Sequence, residues 1–180
     1  MEMTRVSIGV VFVVSACIAL LTGCSQQTTD SNSLATDEVS VDGSKYLLRS
    51  EPDDVLDVIT LREEAKDGDS VVVVGRIGGS ENPWIQDRAA FWIVDGSLKA
   101  CSDIPGDSCE KPWDYCCETH NLPKATALVK VVDDNGDLVQ VGARSLLNIK
   151  ELATVVVTGT AQRDDSGNLT VLATGVFVRS

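Results

Sequence analysis

Five short apolar runs, set apart by glycine- or aspartate-rich punctuation, constrain this chain more than any other feature. Ser70 to Ile77 is valine-rich and stops at Gly78-Gly79. Ala89 to Val94 alternates and stops at Asp95-Gly96. Thr126 to Val132 runs into Asp133-Asp134-Asn135-Gly136-Asp137, with Leu138 to Val141 beyond it. Thr154 to Gln162 and Leu169 to Val178 flank Asp164-Asp165-Ser166-Gly167-Asn168. β-Branched residues pack well on a pleated surface, so such runs favour strands. Asn-Gly between two apolar runs is a hairpin signal. The chain is therefore mainly β. Glu51 to Lys66 reads as one helix ahead of the strands. Pro52 suits a first turn, Glu51, Asp53 and Asp54 favour a helix N-terminus, and Val55, Val58, Ile59 and Arg62 follow helical spacing. Asp67-Gly68-Asp69 ends it, and Ser145 to Leu152 has room for one or two helical turns.

The order is helix, strand, strand, long insertion, strand, short helix, strand, strand. It resembles the oligonucleotide/oligosaccharide-binding (OB) barrel, a five-stranded barrel with a short helix between strands three and four. Asp67 to Ile77 looks like the first strand of such folds, bending at Gly75, and Glu151 to Thr160 looks like the fourth, bending at Gly159. Glycine permits the sharp coiling of a small barrel. The resemblance covers roughly residues 67–180 and implies a closed barrel within an OB-like domain over 51–180. An immunoglobulin-like sandwich needs about seven strands, and five are counted, one of them split by Asn135-Gly136.

Ahead of this domain, Val6 to Leu21 is almost wholly apolar and ends at Leu21-Thr22-Gly23-Cys24. Secretory signals carry about 7–15 apolar residues, whereas a membrane span needs ~20. The tetrapeptide resembles the lipobox of bacterial lipoproteins. That resemblance implies a signal peptide over 1–23 and a lipid (palmitate or a similar acyl chain) on Cys24. It further implies an extracytoplasmic protein held to a bacterial membrane, at the outer membrane or the periplasmic face. Two or more acyl chains anchor stably where one binds marginally. Residues 24–50 are expected to form a flexible polar tether, because Ser25 to Ser44 has no Lys or Arg and few large apolar residues and cannot offset its ordering entropy.

Removing 23 residues from 180 leaves 157, a single-domain length able to bury its own core. The formal charge is −12. Such a surface repels phosphate backbones, so nucleic acid is not an expected partner of this barrel. The run Thr126 to Val132 also lacks the aromatic residues on which bases stack. Phe91 and Trp92 are adjacent and must lie on opposite faces of their strand, one in the core and one free for exposure.

The least generic segment is the insertion 99–123. It carries Cys101, Cys109, Cys116, Cys117 and the only histidine, His120. A loop longer than about 12–15 residues is usually functional or specially stabilised. Export favours two disulfides. Adjacent Cys116 and Cys117 are too close for an ordinary bridge, which leaves 101–116 with 109–117, or 101–117 with 109–116. The alternative is a zinc or copper site made of the four cysteines and His120, whose sulfur and nitrogen donors suit those ions. The spacing C-x7-C-x6-C-C-x2-H follows no paired C-x2-C pattern. Trp84, Trp92, Trp113 and Tyr115 are candidates for a binding surface, with core packing beneath the loop the preferred role for Trp84, Trp113 and Tyr115.

The chain has no G-x-S-x-G elbow, no phosphate-cradling glycine loop and no H-E-x-x-H motif. Asp133-Asp134-Asn135-Gly136 places its glycine and its twelfth position wrongly for a calcium loop. The expectation is a non-catalytic binding or interaction module of the cell envelope, without a cofactor and with a protein or envelope component as partner. A metal-binding protein and a structural envelope lipoprotein are the alternatives.

Overall fold

Alternation along each valine-rich run sorts side chains onto two faces, and the closed sheet buries one of them. The computed structural model describes residues 41–180. The expected signal segment, Cys24 and residues 25–40 of the expected tether lie outside the described residues. In chain order the elements are β1 (Leu56–Asp57), α1 (Val58–Glu64), β2 (Ser70–Ile77), β3 (Ala90–Val94), α2 (Leu122–Ala125), β4 (Thr126–Val131), α3 (Ala143–Leu147), β5 (Thr154–Arg163) and β6 (Leu169–Val178).

The sheet order is β1-β2-β3-β4-β6-β5, and β5 pairs again with β2. That last pairing closes β2 to β6 into a five-stranded barrel. β4 and β6 run parallel, through Leu128↔Thr170 to Val131↔Ala173. The neighbouring pairs β3–β4, β5–β6 and β2–β5 are antiparallel. This order, with α3 between the third and fourth barrel strands, is that of the OB barrel. The insertion 99–123 falls between the second and third barrel strands, as read from the sequence.

The interior takes every second residue. Val71, Val73 and Ile77 of β2, Phe91 and Ile93 of β3, and Ala127, Val129 and Val131 of β4 all join one buried cluster. Val155 and Val157 of β5 and Val171, Ala173 and Val176 of β6 complete it. Burying one such side chain fully contributes about 1.5–3 kcal/mol, so the barrel is held chiefly by this cluster. β5 and β6 shift register between Thr158 and Gly159. A Cβ on Gly159 would collide with the Leu172 carbonyl, so glycine is required where the long hairpin coils.

The expected helix 51–66 shortens to α1. Asp57, not the acidic residues upstream, caps it by accepting from the Thr60 amide at 2.7 Å. Asp54 takes a left-handed φ of 57°, and Leu56–Asp57 pair in parallel with Val73 and Val74. β2 meets β3 over only two residue pairs, Arg76↔Val94 and Ile77↔Ile93. Its remaining edge is therefore open, and pairing with it outweighs the helical preference of residues 51–57.

The folded unit also begins before residue 51. Tyr46, in a 3-10 turn over Gly43–Tyr46, is buried against the barrel, and Leu48 donates its amide to the Val176 carbonyl at 2.9 Å. The later helix spans Ala143–Leu147, stopped by left-handed Asn148, rather than Ser145 to Leu152. Leu138 to Val141 makes only an isolated bridge, Val132↔Leu138, around the Asn135-Gly136 turn.

Candidate functional site

The insertion is fastened to the barrel by polar contacts. Its two arms lie side by side, with the Cys101 amide on the Asp114 carbonyl at 2.8 Å and the Ser102 amide on the Pro112 carbonyl at 3.0 Å. Asp103 bonds Arg76 of β2 at 2.5 Å and accepts from the Ala100 amide at 3.0 Å. The Trp113 indole donates to the Glu81 carbonyl at 3.0 Å, and Lys111 pairs with the Glu81 carboxylate at 2.9 Å. Beneath it lies a second buried cluster of Val94, Leu98, Ala100, Tyr115 and Ala125. Gly78 permits this approach, because a Cβ there would stand 2.8 Å from the Tyr115 ring.

This scaffold gathers three thiols. The sulfurs of Cys101, Cys109 and Cys116 all lie within 4.8 Å of one another. Cys101 is buried, Cys109 half-buried and Cys116 exposed. The Cys101 and Cys116 sulfurs are 3.3 Å apart, whereas a disulfide bond measures about 2.05 Å. All four cysteines of the insertion stand as thiols, so neither expected pairing is formed among the described residues. Cys117 is exposed, its sulfur 3.9 Å from that of Cys116, and it falls outside the trio. His120 is exposed and also outside it. Burial, aided by the contact with Cys116, pushes the Cys101 thiol up to about 12.

The four aromatic candidates do different things. Tyr115 is wholly buried under the insertion, and its hydroxyl finds no partner among the described residues. Trp113 is the half-buried fastener to Glu81. Trp84 belongs to the barrel end instead. It tilts against Phe91 at 6.0 Å between ring centres, donates to the Glu151 carboxylate at 2.8 Å, and carries the Arg144 guanidinium 5.3 Å above its ring.

Trp92 is the half-buried member of the Phe91-Trp92 pair, and Phe91 is the core member. It lies opposite Leu128 of β4. With Gly79, Ser80, Leu122, Pro123 and Thr126 it lines a mainly apolar cleft of about 270 Å³. Gly79 holds a φ of +94° there, which a side chain would strain. The residues of the Gly78-Gly79 stop and of Leu122-Pro123 were legible only as punctuation, because nothing local shows that they meet across the barrel.

Asp95 was also hidden in a turn signal. It is 3% exposed, yet its carboxylate accepts from the Ile59 amide of α1 at 3.0 Å, from the Ser97 amide at 2.9 Å and from the Ser97 hydroxyl at 2.6 Å. Burial acts to raise its pKa, but these hydrogen bonds outweigh it and hold the carboxyl below its ordinary value. Asp95 thereby ties α1 to the end of β3, from which the insertion departs.

No protein family matches the chain, and no curated protein matches it. Among solved structures it is similar to the telomere capping protein Ten1 from Saccharomyces pombe, at 16% identity and a TM-score of 0.31, covering 70% of this chain and 78% of that one. It is also similar to a protein from Leishmania major Friedlin titled as an aspartyl-tRNA synthetase, at 10% identity and a TM-score of 0.38, covering 73% of this chain and 21% of that one. The strand order itself shows the OB-like barrel.

Proposed function

We propose that this chain is a lipid-anchored, extracytoplasmic binding module of a bacterial cell envelope. The lipobox-like Leu21-Thr22-Gly23-Cys24 supports the address, with Cys24 as the acylated residue. The observation that carries the binding role is the apolar cleft around half-exposed Trp92. It opens on the β3–β4 face, and OB barrels use the face of these two strands to bind their ligands.

The cleft's chemistry favours an apolar or aromatic segment of an envelope protein. A charge of −12 disfavours nucleic acid and anionic lipid headgroups. The role is non-catalytic, since the cleft is lined by Gly79, Ser80, Trp92, Leu122, Pro123 and Thr126, without an activated nucleophile and its base.

The test is a photo-crosslinking residue at Trp92, compared with the same residue at exposed Thr160 on β5, in cells producing the full-length chain. A discrete protein adduct at position 92 and none at 160 is expected. Equal adducts, or none at either, would reject the cleft as the binding surface. Metabolic labelling with a clickable fatty acid, lost in Cys24→Ser, tests the anchor separately.

A further inference from the structure

The three converged thiols are left unexplained by the binding role, and their geometry points to a ligand of their own. We propose that Cys101, Cys109 and Cys116 form a three-thiolate site for a soft d10 metal ion, with cuprous copper as the ion it suits best.

Metal–sulfur bonds of about 2.3 Å put the sulfurs around one ion roughly 3.8–4 Å apart. The trio, mutually within 4.8 Å with one pair at 3.3 Å, needs only sub-ångström shifts to reach that spacing. A single disulfide links only two of these sulfurs, whereas one ion engages all three.

The positions are set in advance. The Cys101 amide is bonded to the Asp114 carbonyl, the Cys109 amide to the Asp107 carboxylate at 2.7 Å, and Cys116 opens the 3-10 turn Cys116–Glu118. Arg76, Glu81 and the buried Tyr115 fix the loop to the barrel. Little ordering therefore remains to be done on binding.

The donor set also chooses among ions. Thiolates select cuprous copper and zinc over harder cations. Structural zinc takes four protein ligands, while Cys117 and His120 both stand outside the trio. Three sulfurs satisfy three-coordinate Cu(I) unaided. Uptake replaces three S–H bonds by three metal–sulfur bonds and releases three protons, and no electron is transferred.

The experiment titrates the reduced full-length chain anaerobically with Cu(I) against a chromogenic Cu(I) chelator. One ion per chain is expected, with sulfur-to-copper charge-transfer absorption in the ultraviolet. Cys109→Ser and Cys116→Ser, which remove a ligand outright, should each weaken binding by more than the roughly 10–100-fold that loss of an outer-shell partner costs, while Cys117→Ser and His120→Ala lose less than about tenfold. Because Cys101 is buried, the exposed Cys116→Ser variant carries the comparison, with circular dichroism checking that it folds. Failure to hold copper against the chelator would overturn the site. So would a Cys117→Ser loss as large as that of Cys116→Ser. Thiol alkylation in intact cells is a second check, and a Cys101–Cys116 disulfide throughout the population would also overturn it. A parallel zinc titration separates the ions, and tighter binding of zinc than of copper would overturn the copper assignment.

Discussion

Asp95→Ala tests whether a single buried carboxylate joins the helix to the barrel. The substitution removes the acceptor for the Ile59 amide at 3.0 Å and for the Ser97 amide and hydroxyl. Ser97 is exposed, so water can take over its two donors. The Ile59 amide lies in a part-buried setting, where a lost partner is replaced poorly. A hydrogen bond to a charged group contributes about 1.5–3 kcal/mol, so the expected loss is roughly 2–3 kcal/mol. Against a typical domain stability of about 5–15 kcal/mol, that is a large share. Urea unfolding should show a lower midpoint with an unchanged slope, which marks a change in stability rather than in the extent of unfolding. Asp95→Asn keeps the shape and one acceptor oxygen, so it should lose about half as much.

The pH dependence gives the sign. Burial alone would raise the Asp95 pKa, but the bonds from Ser97, Ile59 and Val58 lower it overall. Folding therefore favours the ionised form. Its contribution is fully present above the unfolded value of about 3.9 and fades as pH falls through the lower folded value. The gap between the parent and Asp95→Ala should hold from neutral pH to about pH 5 and narrow below about pH 4. A loss under about 1 kcal/mol at neutral pH, or a gap that does not narrow in acid, would refute the reasoning.

Gly159→Ala should destabilise by about 1–3 kcal/mol in urea unfolding, because its Cβ would meet Leu172 and Ala173 backbone that cannot rotate away. Gly96→Ala, with nothing within 4 Å, should change the midpoint little and serves as the control. Trp84→Phe keeps the tilted contact with Phe91 but removes the indole donor to Glu151. A loss of about 1.5–2 kcal/mol is expected, read from the thermal midpoint.

Much of the barrel was legible from one dimension. The valine-rich run Ser70 to Ile77 and the apolar run Leu169 to Val178 mark strands, because β-branched side chains pack well on a pleated surface. Asp-, Asn- and Gly-rich punctuation marks the turns, because those residues tolerate positive φ. The helix over 51–66 was misread because the cue was local and the competitor was not. The free edge of β2 captures Leu56–Asp57, and no residue near position 56 announces that edge. The early boundary failed for a similar reason. Ser44, Lys45 and Arg49 look like tether, while Tyr46 finds its cover only on the closed barrel.

The sequence by itself determined the five barrel strands, their order along the chain, and the crowding of cysteines into one insertion. These are properties of spacing and local chemistry. Only the tertiary structure decided which of those cysteines meet. Cys101 and Cys116 are brought to 3.3 Å while Cys117, next in the chain, falls outside the trio. It likewise decided that Trp92, Leu122 and Gly79 share one cleft and that Asp95, in a turn, bonds a helix 36 residues away in the chain. The physical reason is that these meetings depend on barrel closure. The closing β2–β5 pairing joins residues more than 75 positions apart, a distance no local pattern encodes.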